Sequence, residues 1–166
     1  MNELSVYITN LGKYNEGEIV GAWFNLPVDF EEVKETIGLN DEYEEFAIHD
    51  YELPVKISEY TSINELNELA SKLQELEGTP IYDCIDEIMN NWFNILDEII
   101  EHQVDIICYS DCHSTEDLAR YFIEELRLFG EISDKLEPYI DYMKLGRDLD
   151  IEGNYILSKN GVLEYN

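Results

Sequence analysis

The sequence predicts an α+β protein in three segments: a small N-terminal α+β unit, a helical middle and a C-terminal α+β unit ending in a β-hairpin. Three observations lead there. Short alternating apolar runs bounded by Gly and Asn stand near both ends of the chain, the pattern of half-buried strands. Apolar stripes of helical period, opened by capping residues, fill the middle. Near the C-terminus Asn160-Gly161 separates two further runs, a strong hairpin signal. The expected segments are residues 1–60, 61–103 and 104–166.

Residues 4–9 and 19–24 read as two strands around a connection holding Gly12, Asn15 and Gly17. Asp29, with Glu32 three residues on, is expected to form a capping box for a helix over 30–37, which Gly38 closes. A third strand around 46–49 completes the first unit. Ser62 with Glu65 opens the next helix, whose stripe is Ile63, Leu66, Leu69, Ala70, Leu73 and Leu76, and Gly78 stops it. Thr79-Pro80 starts another with Pro at its first position. Ile81, Tyr82, Ile85, Ile88, Met89, Trp92 and Phe93 keep its period, and a short helix follows over 95–100. Residues 104–109 read as a buried strand. Ser114 with Asp117 caps a helix over 115–128 that ends at Gly130, and a further helix runs from Pro138 to near Gly146. Strands at 155–158 and 162–165 close the chain.

Charge is the outlying property. Thirty-eight carboxylates against ten bases leave a net charge of −28 on 166 residues. Residues 1–60 hold 14 acids and 3 bases, 61–103 hold 10 and 1, and 104–166 hold 14 and 6, so no segment is neutral. An apolar fraction of 45% with twelve Tyr, six Phe and two Trp separates this chain from a disordered acidic tail. A solubility role needs a net charge of only about 2–8 in magnitude. A field this large costs folding stability and steers the protein toward basic partners. At one charge per about 1.7 Å of duplex, 28 charges match roughly 48 Å of DNA, a density carried more easily by an elongated molecule. Direct binding to nucleic acid is disfavoured by repulsion from phosphate. Composition alone leaves open a mimic of DNA, an acidic adaptor or regulator that binds a basic protein without mimicry, and an ion-dependent enzyme.

The chemical motifs are sparse. Asp148-Leu149-Asp150-Ile151-Glu152-Gly153 resembles the start of a calcium loop, yet Lys159 stands where the closing bidentate Glu belongs, so a solvated acidic turn is expected. Cys108, Cys112 and His113 form one candidate group where structural zinc wants four ligands, and Cys84 is distant in sequence. No Gly-x-Ser-x-Gly elbow or glycine-rich phosphate loop occurs. No catalytic residue, metal or cofactor is expected. Three clustered cysteines argue against a disulfide framework. The opening Met1-Asn2-Glu3-Leu4 has no basic leader, and no apolar run approaches 18 residues. A cytoplasmic protein with no membrane contact is the expectation.

Two stretches are familiar. The first is Val6-Tyr7-Ile8-Thr9-Asn10-Leu11-Gly12-Lys13-Tyr14-Asn15-Glu16-Gly17, followed by Gly21-Ala22-Trp23-Phe24 and Asp29-Phe30-Glu31-Glu32-Val33. The second is Leu128-Phe129-Gly130-Glu131-Ile132, with Tyr139-Ile140-Asp141-Tyr142 and Gly146-Arg147-Asp148-Leu149. Together they resemble the N-terminal signature and the antirestriction motif of the ArdA antirestriction family, over nearly the whole chain. The resemblance implies an elongated three-part homodimer whose carboxylates imitate the phosphates of bent B-form DNA. It further implies inhibition of type I restriction-modification enzymes through the DNA-binding groove of their specificity and methyltransferase core. Such proteins are often encoded on conjugative elements. It places the motif residues Leu128, Phe129, Gly130, Glu131, Tyr139, Ile140, Asp141 and Tyr142 at the dimer interface, where ordinary core packing of two helices is the competing reading. The expected phosphate surrogates, chosen from exposed helix faces and acid-rich loops, are Asp29, Glu31, Glu32, Glu35, Asp41, Glu42, Glu44, Glu45, Glu65, Glu68, Glu75, Glu77, Asp86, Glu87, Asp97 and Glu101.

Overall fold

A computed structural model describes residues 4–166; the opening Met1-Asn2-Glu3, read above as lacking a leader, lies outside the described residues. The chain forms two compact units, Met1–Glu77 and Gly78–Asn166. Each has a small antiparallel sheet packed with helices, so the class is α+β.

In the first unit strands β1 (Ser5–Asn10), β2 (Gly21–Asn25) and β3 (Phe46–Glu52) pair in the order β2-β1-β3. The connection after β1 that holds Gly12 and Asn15 includes a short helix, α1 (Leu11–Asn15). Asn10 makes it so. Its buried side chain accepts from the Lys13 amide at 3.1 Å and donates to the Ile37 and Gly38 carbonyls at 3.2 and 3.3 Å. One residue thereby caps α1 and ties down the end of α2 (Phe30–Ile37), whose own C-cap is Gly38 in the left-handed region. Asp29 caps α2 by accepting from the Glu31 amide at 2.8 Å, in place of the reciprocal capping box expected with Glu32. Helix α3 (Ile63–Leu76) has the full Ser62/Glu65 capping box. Its Ile63, Leu66 and Ala70 enter the same core as Val6, Ile8, Phe24, Val33 and Ile37. Asn67, on that helix, both donates to and accepts from the Val28 backbone at 2.8 Å, anchoring the approach to α2.

The second unit departs more from expectation. The period from Ile81 to Phe93 predicts one helix, but the chain forms α4 (Pro80–Asp83) and α5 (Ile85–Asn91) with a break at Cys84. Cys84 is fully buried there with its thiol 3.4 Å from Ser158 Oγ, so a tertiary contact overrides local helical propensity. Helix α6 (Leu96–Glu101) follows as expected. The strand expected over 104–109 shortens to β4 (Ile106–Tyr109), because residues Gln103–Asp105 tighten into a 3-10 turn. It is an edge strand and not a fully buried one: the sheet order is β4-β6-β5, with β5 (Tyr155–Ser158) and β6 (Gly161–Tyr165). Ser158 pairs with Gly161, so the two-residue hairpin turn is Lys159-Asn160, one residue earlier than the Asn-Gly signal suggested. Gly161 instead opens β6, where a Cβ would strike the Tyr109 carbonyl.

Helix α7 (Thr115–Glu124) ends four residues before the expected Leu128, and Leu126, Leu128 and Phe129 beyond it are exposed. Helix α8 (Tyr142–Glu152) begins after a 3-10 turn at Glu137–Tyr139, later than Pro138, and continues through Gly146. Gly146 is therefore no terminator. It is buried, and a Cβ there would run into the Thr115 backbone, so the missing side chain is what lets α8 approach the start of α7.

Candidate functional site

The carboxylates singled out from the sequence sit on four kinds of support. Asp29, Glu31, Glu32 and Glu35 lie on the first two turns of α2 or its cap, and Asp41, Glu42, Glu44 and Glu45 on the loop before β3. Glu65, Glu68, Glu75 and Glu77 lie on α3 or its C-cap; Asp86, Glu87, Asp97 and Glu101 lie on α5 and α6. All are exposed except Glu87, which is half-buried.

Local bonding divides them. Glu65 is committed to its capping box: the Ser62 amide and hydroxyl donate to it at 2.9 and 2.8 Å and hold its carboxyl below the usual range. Asp29 is committed to the α2 cap. Glu68 pairs with Lys72 at 3.0 Å, and Glu31 loosely with Lys34 at 3.9 Å. By contrast, among the described residues the carboxylates of Glu32, Glu35, Asp41, Glu42, Glu44, Glu45, Glu75, Glu77, Asp86, Glu87 and Glu101 accept no hydrogen bond and join no ion pair. Sequence reasoning also passed over exposed Glu18, Asp50, Glu52, Glu59 and Asp83. For the four that fall within residues 1–60 the high acid count of that segment was the available signal; Asp83 closes helix α4.

In the second unit several acids are structural. Glu164 accepts from Tyr109 Oη at 2.6 Å and from Tyr155 Oη at 3.1 Å, one phenol on each carboxylate oxygen. Burial, then the Glu164 carboxylate, pushes Tyr155 up to about 12 and Tyr109 further still. Glu124 accepts from Tyr142 Oη at 3.2 Å and pairs with Arg120, which also bridges to Glu116 and lies 4.1 Å over the Tyr142 ring.

The residues of the second familiar stretch separate into two sets. Tyr142 is buried (8% exposed) with Ala119 and Ile123, and Ile140 packs against that cluster. Asp141 caps α8 by accepting from the Lys144 amide at 2.9 Å. Gly130 adopts positive φ, and Glu131 pairs with Arg127 at 2.9 Å. Leu128, Phe129 (60% exposed) and Tyr139 (85% exposed) point to solvent, alongside Leu126, Leu136 and Met143. Six large apolar side chains within 18 residues are thus left exposed between α7 and the first turn of α8.

The alternative chemical groups do not assemble. Cys112 is buried against Leu118, Phe122 and Val162; Cys108 sits on β4 with its thiol 3.9 Å from the Asn160 carbonyl. Burial raises the pKa of both thiols, the opposite of what a reactive thiolate needs. His113 is exposed, and its amide donates to Asp117 at 3.0 Å. The stretch read as a solvated acidic turn is helical: Asp148, Asp150 and Glu152 ride on α8, where side chains two apart diverge by about 200°. Among the described residues no three His, Cys, Asp or Glu side chains converge on a metal-sized site, and no helix is long and apolar enough to cross a membrane.

A search of curated proteins finds no match to this chain. The family model described as Antirestriction protein (ArdA) matches residues 6–164, nearly the full length and both familiar stretches. The chain belongs to the ArdA antirestriction protein family.

Proposed function

We propose that this antirestriction protein is a DNA mimic that occupies the DNA-binding groove of type I restriction-modification enzymes and inhibits them without catalysis. The observation that carries the reading is the set of exposed carboxylates without local partners on both units. Glu32 and Glu35, three apart on α2, lie on one side of that helix with about 4.5 Å of rise between them, against about 3.4 Å of axis per phosphate along one DNA strand. Lys and Arg that bind phosphate in the target meet such a surface with little rearrangement, and the acidic field accelerates encounter. The protein needs no bound cofactor to act this way.

The uncovered apolar surface around Phe129 and Tyr139 supports homodimerisation, since aromatic side chains supply large buried area at low entropic cost. Pairing doubles the charge to about −56, the equivalent of roughly 28 base pairs. Titration of a type I enzyme bound to labelled cognate DNA tests the main claim: the protein should displace DNA in a salt-sensitive competition. Binding that leaves the DNA in place would overturn mimicry in favour of an acidic adaptor. Sedimentation equilibrium of Phe129→Asp should show monomers where the parent is dimeric.

A further inference from the structure

The first unit carries an aromatic surface that neither the core nor the carboxylate array employs. Trp23 on β2 and Tyr7 on β1 are direct cross-strand partners, with ring centroids 5.6 Å apart. On the other side of β1 the residue in register with Tyr7 is Asp50 of β3. One row across the three strands therefore reads Trp23, Tyr7, Asp50. Val6, Ile8 and Phe24, the strand neighbours of this row, point into the core on the opposite face. Gly21 lies diagonally beside Tyr7: a Cβ there would sit 3.1 Å from Tyr7 Cζ, so the phenol lies down along the sheet over the glycine. Trp23 remains 48% exposed, and Asp50 is exposed with one carboxylate oxygen accepting from the Tyr51 amide at 2.8 Å.

A cross-strand aromatic pair lends a sheet a modest stabilisation. That accounts for the pairing but not for leaving half an indole in water. Elsewhere the chain puts its own cations on aromatic faces: Arg120 over Tyr142 at 4.1 Å and Lys13 over Tyr43 at 5.8 Å. Among the described residues no Lys or Arg lies over Trp23 or Tyr7. The chain holds ten bases for 38 acids, so a cation for this face comes most readily from a partner. Arginine suits it better than lysine. A planar guanidinium stacks on a ring and donates in a fork to an adjacent carboxylate, and Trp gives the strongest such attraction.

We propose that Trp23, Tyr7 and Asp50 form a platform for one arginine side chain of the basic protein surface that this chain occupies. The proposal rests on the groove-binding reading above and adds to it a stacking contact, distinct from phosphate imitation. Competition against DNA for a type I enzyme is measured with the full-length protein and with Trp23→Ala, Trp23→Phe and Asp50→Asn, each checked for an unchanged melting transition. Trp23→Ala should weaken competition about tenfold, and Trp23→Phe by less. The slope of log affinity against log salt should be unchanged for both, because no charge is removed, whereas Asp50→Asn should make it shallower by about one. In a Trp92→Phe background the fluorescence of Trp23 should shift on adding the enzyme. If the parent competes with DNA while Trp23→Ala competes equally well and Trp23 fluorescence stays constant, the platform is wrong and the groove reading stands. If the parent does not compete, both fall.

Discussion

The two units carry charge of one sign and put it to different uses. In Gly78–Asn166 a good share of the acids are bound into the structure: Glu164 between two phenols, Glu124 and Glu116 on Arg120, Glu131 on Arg127. Among the described residues of Met1–Glu77 the commitments are mostly to near neighbours: the Asp29 and Glu65 caps, Glu68 on Lys72, Glu31 on Lys34 and Asp50 on the Tyr51 amide, with Glu16 accepting from Tyr43 Oη at 2.9 Å. The acids of α2 and of the loop before β3 face water instead. A carboxylate already satisfied by tyrosine or arginine has little left for a partner, whereas one held only by water can exchange water for a partner's cation. Net charge therefore overstates the binding surface of both units, and in the second it does so partly through a contact between distant positions, Glu164 with Tyr109.

The largest expected effect breaks the comparison from the structural side. Glu164→Ala strips both phenols of their acceptor and should destabilise the second unit by about 3 kcal/mol, counting about 1.5 for each bond to a charged group. Chemical denaturation followed by tyrosine absorbance checks it, and a loss under 1 kcal/mol would mean the network is incidental. Asn67→Ala should cost the first unit about 2 kcal/mol, because the half-buried Val28 amide and carbonyl lose their partner.

Alkaline titration sharpens the contrast further. Tyr155 has a folded-state pKa raised to about 12 from the ordinary 10, so its contribution is complete below pH 10 and is lost as pH rises from 10 through 12. The midpoint of unfolding should fall across that window, and Tyr155→Phe should flatten the fall. The smallest effect belongs to the open acids. Neutralising one of them, as in Glu35→Gln, should leave stability within about 0.5 kcal/mol and weaken target binding by less than tenfold, because the load is shared. A single substitution that abolished binding would defeat the distributed-charge account.

Much of the fold was legible because its signals are local. The Ser62/Glu65 box, the Asp29 and Ser114 caps, Gly38 as a C-cap and the Ile63-to-Leu76 stripe each depend on residues within a few positions, and each is formed. Errors gathered where a distant partner decides. Cys84 breaks a periodic helix for a contact with Ser158, and Gly146, which reads as a stop, is a contact between helices. Leu126, Leu128 and Phe129 continue the apolar pattern past α7 yet stay exposed. The acidic surface was legible as a quantity; which acids are spent internally was not, since Glu164 meets Tyr109 across 55 positions.

What the sequence alone determined, then, was the α+β class, most helix starts, the sign and size of the field and the family signature, because period, caps and charge are additive along a chain. Tertiary structure decided which carboxylates remain open to a partner, that Tyr142 is buried while Phe129 and Tyr139 are not, and that Trp23, Tyr7 and Asp50 share one row. Those outcomes depend on strand register and on packing between segments far apart in the chain, where a shift of one residue turns every side chain to the other face.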